Sequence, residues 1–345
     1  MTTPWMDYLA QEGALADDNT VRFPASGGPG DTVAVPLVHL GLIVSRGEDS
    51  APFLHNLFSN DVKKLAPDQA QWNSFNSPKG RMLASMLVWP QGDGHALVMA
   101  ADIHPAILKK LSMYVLRSKV KLSDGGVDTV LIGVTGAQAE RIIGEAGATV
   151  PGADMHQSDN AGMRCIRLGE HHYVLAVAAA DATEVYRKLL AAGAAKGGSA
   201  QWQLAMIRAG LPLVTAATQE EFVAQMINYE LIGGVSFTKG CYPGQEIVAR
   251  TRYLGKLKKR MYRVRIEADQ TPQPGADIFT PEFGDQSAGK IVNAAPSPAG
   301  GYEALAVMQI SCAEAGLAHL GEPAGPRLTV LDLPYALPQP ATEKS

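Results

Sequence analysis

Cysteine is scarce in this chain. Only Cys165, Cys241 and Cys312 occur in 345 residues. They are odd in number, far apart and form no CxxC pair, so neither a disulfide framework nor a thiolate zinc site is suggested, and a reducing cytoplasm fits best. The eight histidines include the adjacent pair His171–His172. No HExxH or comparable ligand spacing occurs, so no stable metal is expected. Long apolar runs are also missing. The longest, VLAVAAA, falls well short of a membrane span. The opening MTTPWMDYLAQEGALADDNT lacks the basic segment and apolar run of a secretory signal. The expected location is therefore the cytoplasm, with no membrane partner. Net charge is only −4, so no global attraction for nucleic acid exists and any such attraction must be local.

What is present reads as a soluble globular protein, with 46% apolar and 19% charged residues. The length exceeds what one core usually serves, so two or three domains are expected. Residues 1–32 read as a loosely attached arm that ends in the linker-like ASGGPGDT. A weak internal repeat follows. The first copy, residues 33–125, runs through HLGLIVS, a helix from Ser50, RMLASMLVW, a Gln91–Gly94 turn, HALVMAA and the helix IHPAILKKLSMYVL. The second copy, 126–198, runs through TVLIGVT, AQAERIIGEAG, MRCIRLG, HYVLAVA and VYRKLLAAG, the last opened by Asp181 and Glu184 at capping-box spacing. Each copy reads strand–helix–strand–strand–helix, the order of a ferredoxin-like split βαβ unit. Residues 199–256 form a connecting segment that begins with the helix AQWQLAMIRAG. From 257 to 338 short strands follow at close intervals. Tyr262, Val264 and Ile266 alternate with Arg263 and Arg265, and a small antiparallel barrel is expected. The fold class is thus α+β: two ferredoxin-like units plus a C-terminal β-barrel.

The stretch KGCYPGQEIVAR, Lys239–Arg250, carries the chemistry. Pro243 suits the first position of a helix, Ile247, Thr251 and Leu254 follow at helical spacing, and Gly255 suits its end. Cys241 then lies ahead of a helix N-terminus, where free amides and the cation Lys239 favour a thiolate. Gly240 and Gly244 let the backbone approach a partner closely. The alternative is a small apolar cysteine filling a turn. Cys165 and Cys312 fall in strand-like segments and read as packing residues.

The string FTKGCYPGQEIVARTRYLGK resembles the signature of the YgfZ-type folate-binding family, which shares its fold with the aminomethyltransferase of the glycine cleavage system. The family form K-G-C-Y-[TP]-G-Q-E is matched in full by Lys239, Gly240, Cys241, Tyr242, Pro243, Gly244, Gln245 and Glu246. Upstream, WQLAMIRAGLPLV, EFVAQMINYELIGGVSF and SPKGRMLASM resemble further family segments, with Ala224 where a proline is usual. The resemblance covers about residues 33–265. It implies a tetrahydrofolate-type ligand, a role in iron–sulfur cluster assembly or repair, and support of iron–sulfur-dependent tRNA modification. Reduced folate and iron–sulfur enzymes or their assembly proteins are the implied partners.

A pterin needs a flat wall, a carboxylate for its amino-pyrimidine edge and cations for its glutamyl tail. Trp202 is the candidate wall, or simply the apolar face of its helix. Glu230 is the candidate carboxylate, or a surface charge. Gln225 and Asn228 could line the same wall, and Arg208 or Lys239 could meet the tail. The aminomethyltransferase carries paired acids where this chain has Ala84 and Ser85. Glycine-cleavage chemistry, which needs a carboxylate near the folate amine, is therefore not expected. Asp61 remains, but it also reads as a helix-end residue. The stretch 250–265 holds eight Lys or Arg. It reads as a solvated helix end and strand face, and direct nucleic-acid binding is not expected of it. Three classes stay open: a folate-binding accessory protein acting through Cys241, a folate-dependent one-carbon transferase on an unknown acceptor, and an RNA-binding module.

Overall fold

The computed structural model describes residues 3–17, 19–28, 30–160, 162–253 and 257–338. Two compact units share the chain. One comprises Met1–Phe53, Val62–Gln71 and Met86–Ala205; the other comprises Leu54–Asp61, Trp72–Ser85 and Met206–Ser345.

The first unit holds most of both copies of the repeat, with residues 54–61 and 72–85 of the first copy belonging to the second unit. In one sheet, strand Leu40–Arg46 pairs antiparallel with Gly94–Ala100 on one side and Lys121–Asp124 on the other. Gly94–Ala100 pairs in turn with the second half of Met82–Gln91. Helices Ser50–Leu57 and His104–Met113 are the two crossovers. This is the ferredoxin-like order expected from the sequence. The other sheet runs Gln157–Asn160, Met163–Gly169, His172–Ala178, Thr129–Thr135, Val33–Pro36 and Ala195–Lys196. Ala195–Lys196 pairs parallel to Val33–Pro36, and all the other pairs are antiparallel.

Val33–Pro36, which the sequence assigned to the first copy, is thus a strand of the second copy's sheet. It lies beside Thr129–Thr135, with Val33 opposite Thr135 and Pro36 opposite Ile132. The sequence cannot show this, because the strand's pairing is set by partners about a hundred residues away.

The N-terminal segment is not a loose arm. Thr3 caps helix Pro4–Gln11, its hydroxyl accepting from the Met6 amide at 3.3 Å. Trp5, Tyr8 and Leu9, at i, i+3 and i+4, are all buried. They join a core with Ile132, Val134, Ile142, Tyr173, Leu175, Val185, Tyr186 and Leu189. The Trp5 ring meets Tyr186 edge-on at 5.5 Å, a geometry favoured by aromatic quadrupoles. Asp181 does stand at the start of helix Ala182–Ala191, but its side chain makes no capping bond.

In the second unit, residues beyond Met206 end in a closed six-stranded barrel. The order is Lys259–Ile266, Tyr302–Gln309, Gly289–Pro296, Asp277–Phe279, Ala318–Leu320 and Arg327–Leu331. Val264, Ile266, Ile278, Ile291, Met308 and Leu328 fill it together with the small Ala304 and Ala306. Closure leaves no sheet edge unpaired, which suits so small a core. Cys312 lies on the short helix Ile310–Ala315 rather than in a strand, buried with its sulfur 3.4 Å from the Thr280 hydroxyl.

Candidate functional site

The signature forms a turn followed by a helix. The Gln245 amide donates to the Tyr242 carbonyl at 3.1 Å, with Pro243 and Gly244 between them. Gly244 has φ +78°. Proline followed by a glycine of positive φ defines a type II turn. That backbone is not helical, so the helix starts at Gln245 and runs to Tyr253, two residues later than Pro243 at its first position would require. Val248 is buried, while Ile247 is 37% exposed. The expected face of Ile247 and Thr251 is therefore rotated by about one residue. The expected Leu254 and Gly255 lie outside the described residues.

A second turn explains why Gly244 must be glycine. A Cβ there would lie 2.5 Å from the Gly80 Cα and 2.6 Å from the Ser77 carbonyl oxygen. Gly80 closes the Ser77–Gly80 turn, its amide donating to the Ser77 carbonyl at 2.9 Å with φ +71°. The two glycine turns meet backbone to backbone, joining the SPKGR and KGCYPGQE segments noted in the sequence.

Two buried residues anchor the thiol's loop. Lys239 is 8% exposed. Its ammonium donates to the carbonyls of His55 and Phe58 and lies 4.9 Å from the centre of the Tyr242 ring. Tyr242 is buried, and burial pushes its phenol up to about 12. Cys241, two residues after one anchor and one before the other, is exposed. Gly240 is exposed too, and a Cβ on it would lie 3.8 Å from His55 Nε2. The other ring nitrogen of His55 pairs with Asp61 at 3.0 Å. Cys165, by contrast, is buried in its strand, which pushes its thiol up to about 12.

Three of the residues considered for folate come together around one guanidinium. Arg260 donates to Glu230 Oε1 at 2.6 Å, to Asn228 Oδ1 at 3.1 Å and to the Gln225 carbonyl at 3.2 Å. Asn228 (φ +57°) donates to the Met261 carbonyl, and Gln225 to the Val248 carbonyl. Glu230 Oε2 and Gln225 Oε1 are buried and have no hydrogen-bond partner. Burial raises the Glu230 carboxyl above its ordinary range, outweighing the pull of Arg260. Sequence reasoning took Arg260 for part of a solvated basic run. The missed signal is its parity: Arg260 falls in register with the inward-facing Tyr262, Val264 and Ile266.

The remaining candidates divide. Trp202 lies in the first unit, 3% exposed. Its ring lies against Gly133, where a Cβ would come within 2.5 Å of the indole. Arg208 is held by Glu303 through Nε at 3.2 Å and Nη2 at 2.6 Å. Lys239 faces inward, so its charge is spent on backbone carbonyls rather than offered to a ligand's tail. Glu246 is exposed in the first turn of its helix, and Gln245 is half-buried. Where paired acids were looked for, Ala84 is fully buried and the Ser85 hydroxyl accepts from the Val214 amide at 2.9 Å. Half of the basic run is engaged within the chain, Arg260 as described above. Arg252 stacks on Phe237 at 3.8 Å, Arg263 donates to the Asp332 carbonyl, and Arg265 pairs with Glu267. No cluster of three or more metal-ligating side chains occurs among the described residues, and no helix among them is long and apolar enough to cross a membrane.

Comparison with known proteins follows the same lines. Residues 34–206 match the GCVT N-terminal domain family. The chain is 30% identical over 301 residues to the tRNA-modifying protein YgfZ of Yersinia pestis, covering 86% of this chain and 90% of that one. It is 29% identical over 300 residues to the protein of the same name from Yersinia enterocolitica, with the same coverage. Among solved structures, the glycine cleavage system aminomethyltransferase T of Bartonella henselae superposes with a TM-score of 0.76 at 17% identity, over 97% of each chain. That likeness establishes the fold.

Proposed function

Because the chain belongs to the YgfZ family, we propose that it binds tetrahydrofolate or a derivative and supports iron–sulfur cluster assembly or repair. Through that role it serves iron–sulfur-dependent tRNA modification, with Cys241 as the working thiol. The observation that carries this reading is the full KGCYPGQE string folded so that its thiol is exposed between two buried anchors. Lys239 and Tyr242 are buried on either side of an exposed Cys241. A cysteine serving only as filler would be buried, as Cys165 and Cys312 are.

The residues present also suit a folate. Glu230 keeps one buried carboxylate oxygen without a partner, and an amino-pyrimidine edge has N–H groups to supply it. Gln225 Oε1 is a second such acceptor. Arg260 holds both side chains' segments in place and offsets the carboxylate's charge. Arg208, with its side chain 46% exposed, is the cation within reach of a glutamyl carboxylate in solution. A bound reduced folate would supply a one-carbon carrier or a reductant. The chain's own residues would orient it and present the thiol.

Two measurements test the reading. Calorimetry with reduced folates should show binding in roughly the micromolar range, ordinary for a small ligand with a few charge-assisted contacts, and Glu230→Gln should weaken it. Cells lacking the native protein should recover iron–sulfur-dependent tRNA modification with the wild-type chain and not with Cys241→Ser. Full recovery with Cys241→Ser, or no heat with any reduced folate, would remove the corresponding half of the proposal.

A further inference from the structure

Residues 109–121, KKLSMYVLRSKVK, include five Lys or Arg and no acid, in a chain whose net charge is −4. They lead from the end of helix His104–Met113 into strand Lys121–Asp124. The helix packs inward through Ile107 and Leu111, which are buried. Beyond Leu111 the pattern reverses. Met113 is 64% exposed, Leu116 is 86% exposed, and Tyr114 between them is exposed as well. A single exposed leucine needs no explanation, but three large apolar side chains within four residues, set among cations, mark an interaction surface.

The turn that carries them is held in place. The Val115 amide donates to the Ser112 carbonyl at 3.2 Å and the Leu116 amide to the Tyr114 carbonyl at 3.0 Å. Further on, the Lys119 amide donates to Asp49 Oδ2 at 2.8 Å, and its ammonium pairs with Glu48. Gly47 lies against the Lys119 carbonyl, where a Cβ would clash with the oxygen. Apolar groups on a fixed turn reach a partner with little further ordering cost. The neighbouring strand adds charge. Arg46 lies directly opposite Lys121 in the pairing of Leu40–Arg46 with Lys121–Asp124, and both are exposed. Like charges directly opposite one another on a sheet are destabilising, and an anionic partner would relieve them. All of these residues belong to the first unit, whereas Cys241 and Glu230 belong to the second.

We propose that residues 109–121, together with Arg46, form a docking surface for a protein that presents an apolar cleft rimmed by carboxylates. Met113 and Leu116 are the anchors that enter the cleft. Lys109, Arg117, Lys121 and Arg46, all exposed, meet the rim. This is the ordinary anatomy of a protein interface, an apolar centre inside a polar border. The anchors decide the partner's class. The phosphates of a nucleic acid would answer the cations alone and leave Met113 and Leu116 in water. The surface needs neither the thiol nor a folate. It rests on the function proposed above only in that docking would bring a client or assembly protein to this chain.

The test places a photocrosslinking residue at position 116 of the full chain, in cells that lack the native protein. Irradiation should give one discrete protein adduct, and mass spectrometry should find acidic residues around the crosslinked peptide. Reversing the rim with Arg46→Glu and Lys121→Glu should cut the adduct by about tenfold or more. Separately, the double variant Met113→Ser, Leu116→Ser changes only exposed side chains. It should melt within about 2 °C of the wild type and label at Cys241 as before, yet lose about tenfold or more of the support for tRNA modification. No adduct, an adduct untouched by the charge reversal, crosslinks to RNA or lipid alone, or undiminished support by the double variant would each overturn the proposal. Failure of the wild-type chain itself to support tRNA modification would refute the proposed function instead, and the adduct's dependence on Arg46 and Lys121 would still decide this inference.

Discussion

Cys241 stands out among the three thiols because of its neighbours rather than its own packing. Lys239 and Tyr242 are drawn inward, and the two residues between them, Gly240 and Cys241, are left facing outward. Iodoacetamide at neutral pH should therefore label Cys241 first, with Cys165 and Cys312 lagging by orders of magnitude until the protein unfolds. Burial both shields Cys165 and pushes its thiol up to about 12, so thiolate is scarce there. Mass spectrometry of labelled peptides reads the order directly, and equal labelling of all three would contradict it. A second expectation at this scale concerns Ala84 and Ser85. With no acid at either position, and with the Ser85 hydroxyl already engaged by the Val214 amide, the chain should not form methylenetetrahydrofolate from an aminomethyl-loaded carrier protein above the uncatalysed background. A clear rate in that assay would show that another carboxylate does the work.

At the scale of elements, the meeting of two glycine turns is the joint most sensitive to change. Gly244→Ala adds a methyl at positive φ and drives it against the Gly80 backbone. The left-handed conformation alone costs about 1–2 kcal/mol for a residue with a Cβ, and the clash adds to it. Denaturant unfolding should show a loss of at least about 2 kcal/mol, whereas Pro243→Ala should cost less than about 1 kcal/mol. The N-terminal helix gives a second test. Trp5→Ala removes a buried indole from the aromatic cluster with Tyr8 and Tyr186 and should destabilise the protein by about 3 kcal/mol; a truly loose arm would tolerate the change. These elements also show what the sequence could tell. Helix Ser50–Leu57, strands Met163–Gly169 and His172–Ala178 and the barrel's alternation were legible, because each depends on local periodicity. The burial of Pro4–Gln11, the placing of Val33–Pro36 and the inward Arg260 were not, because each is decided by a distant partner. Within the candidate site, the signature string could be read letter by letter. Which of its letters are anchors and which are exposed emerged only from the packing of Lys239 on His55 and Phe58.

At the scale of the whole molecule, acid should weaken the protein well above the range where carboxylates titrate. Burial lowers His39 to about 4 and lowers His95 and His172 in the same direction. A depressed histidine binds fewer protons in the folded than in the unfolded state, so its contribution is intact above the unfolded value of about 6.5 and is lost as pH falls towards the folded value. For His39 the full effect is on the order of 3 kcal/mol. Thermal midpoints should fall steadily from pH 7 to pH 4.5, and His39→Leu should flatten part of that slope; an unchanged slope would show that His39 is not held neutral. The strand Val33–Pro36 has a different consequence. It lies between Thr129–Thr135 and Ala195–Lys196 in the same sheet. A chain emerging from the ribosome exposes this strand early, yet its last neighbour is made about 160 residues later. The nascent strand Val33–Pro36 has no finished sheet to fold into and must wait, open to chaperones, until synthesis has passed Lys196.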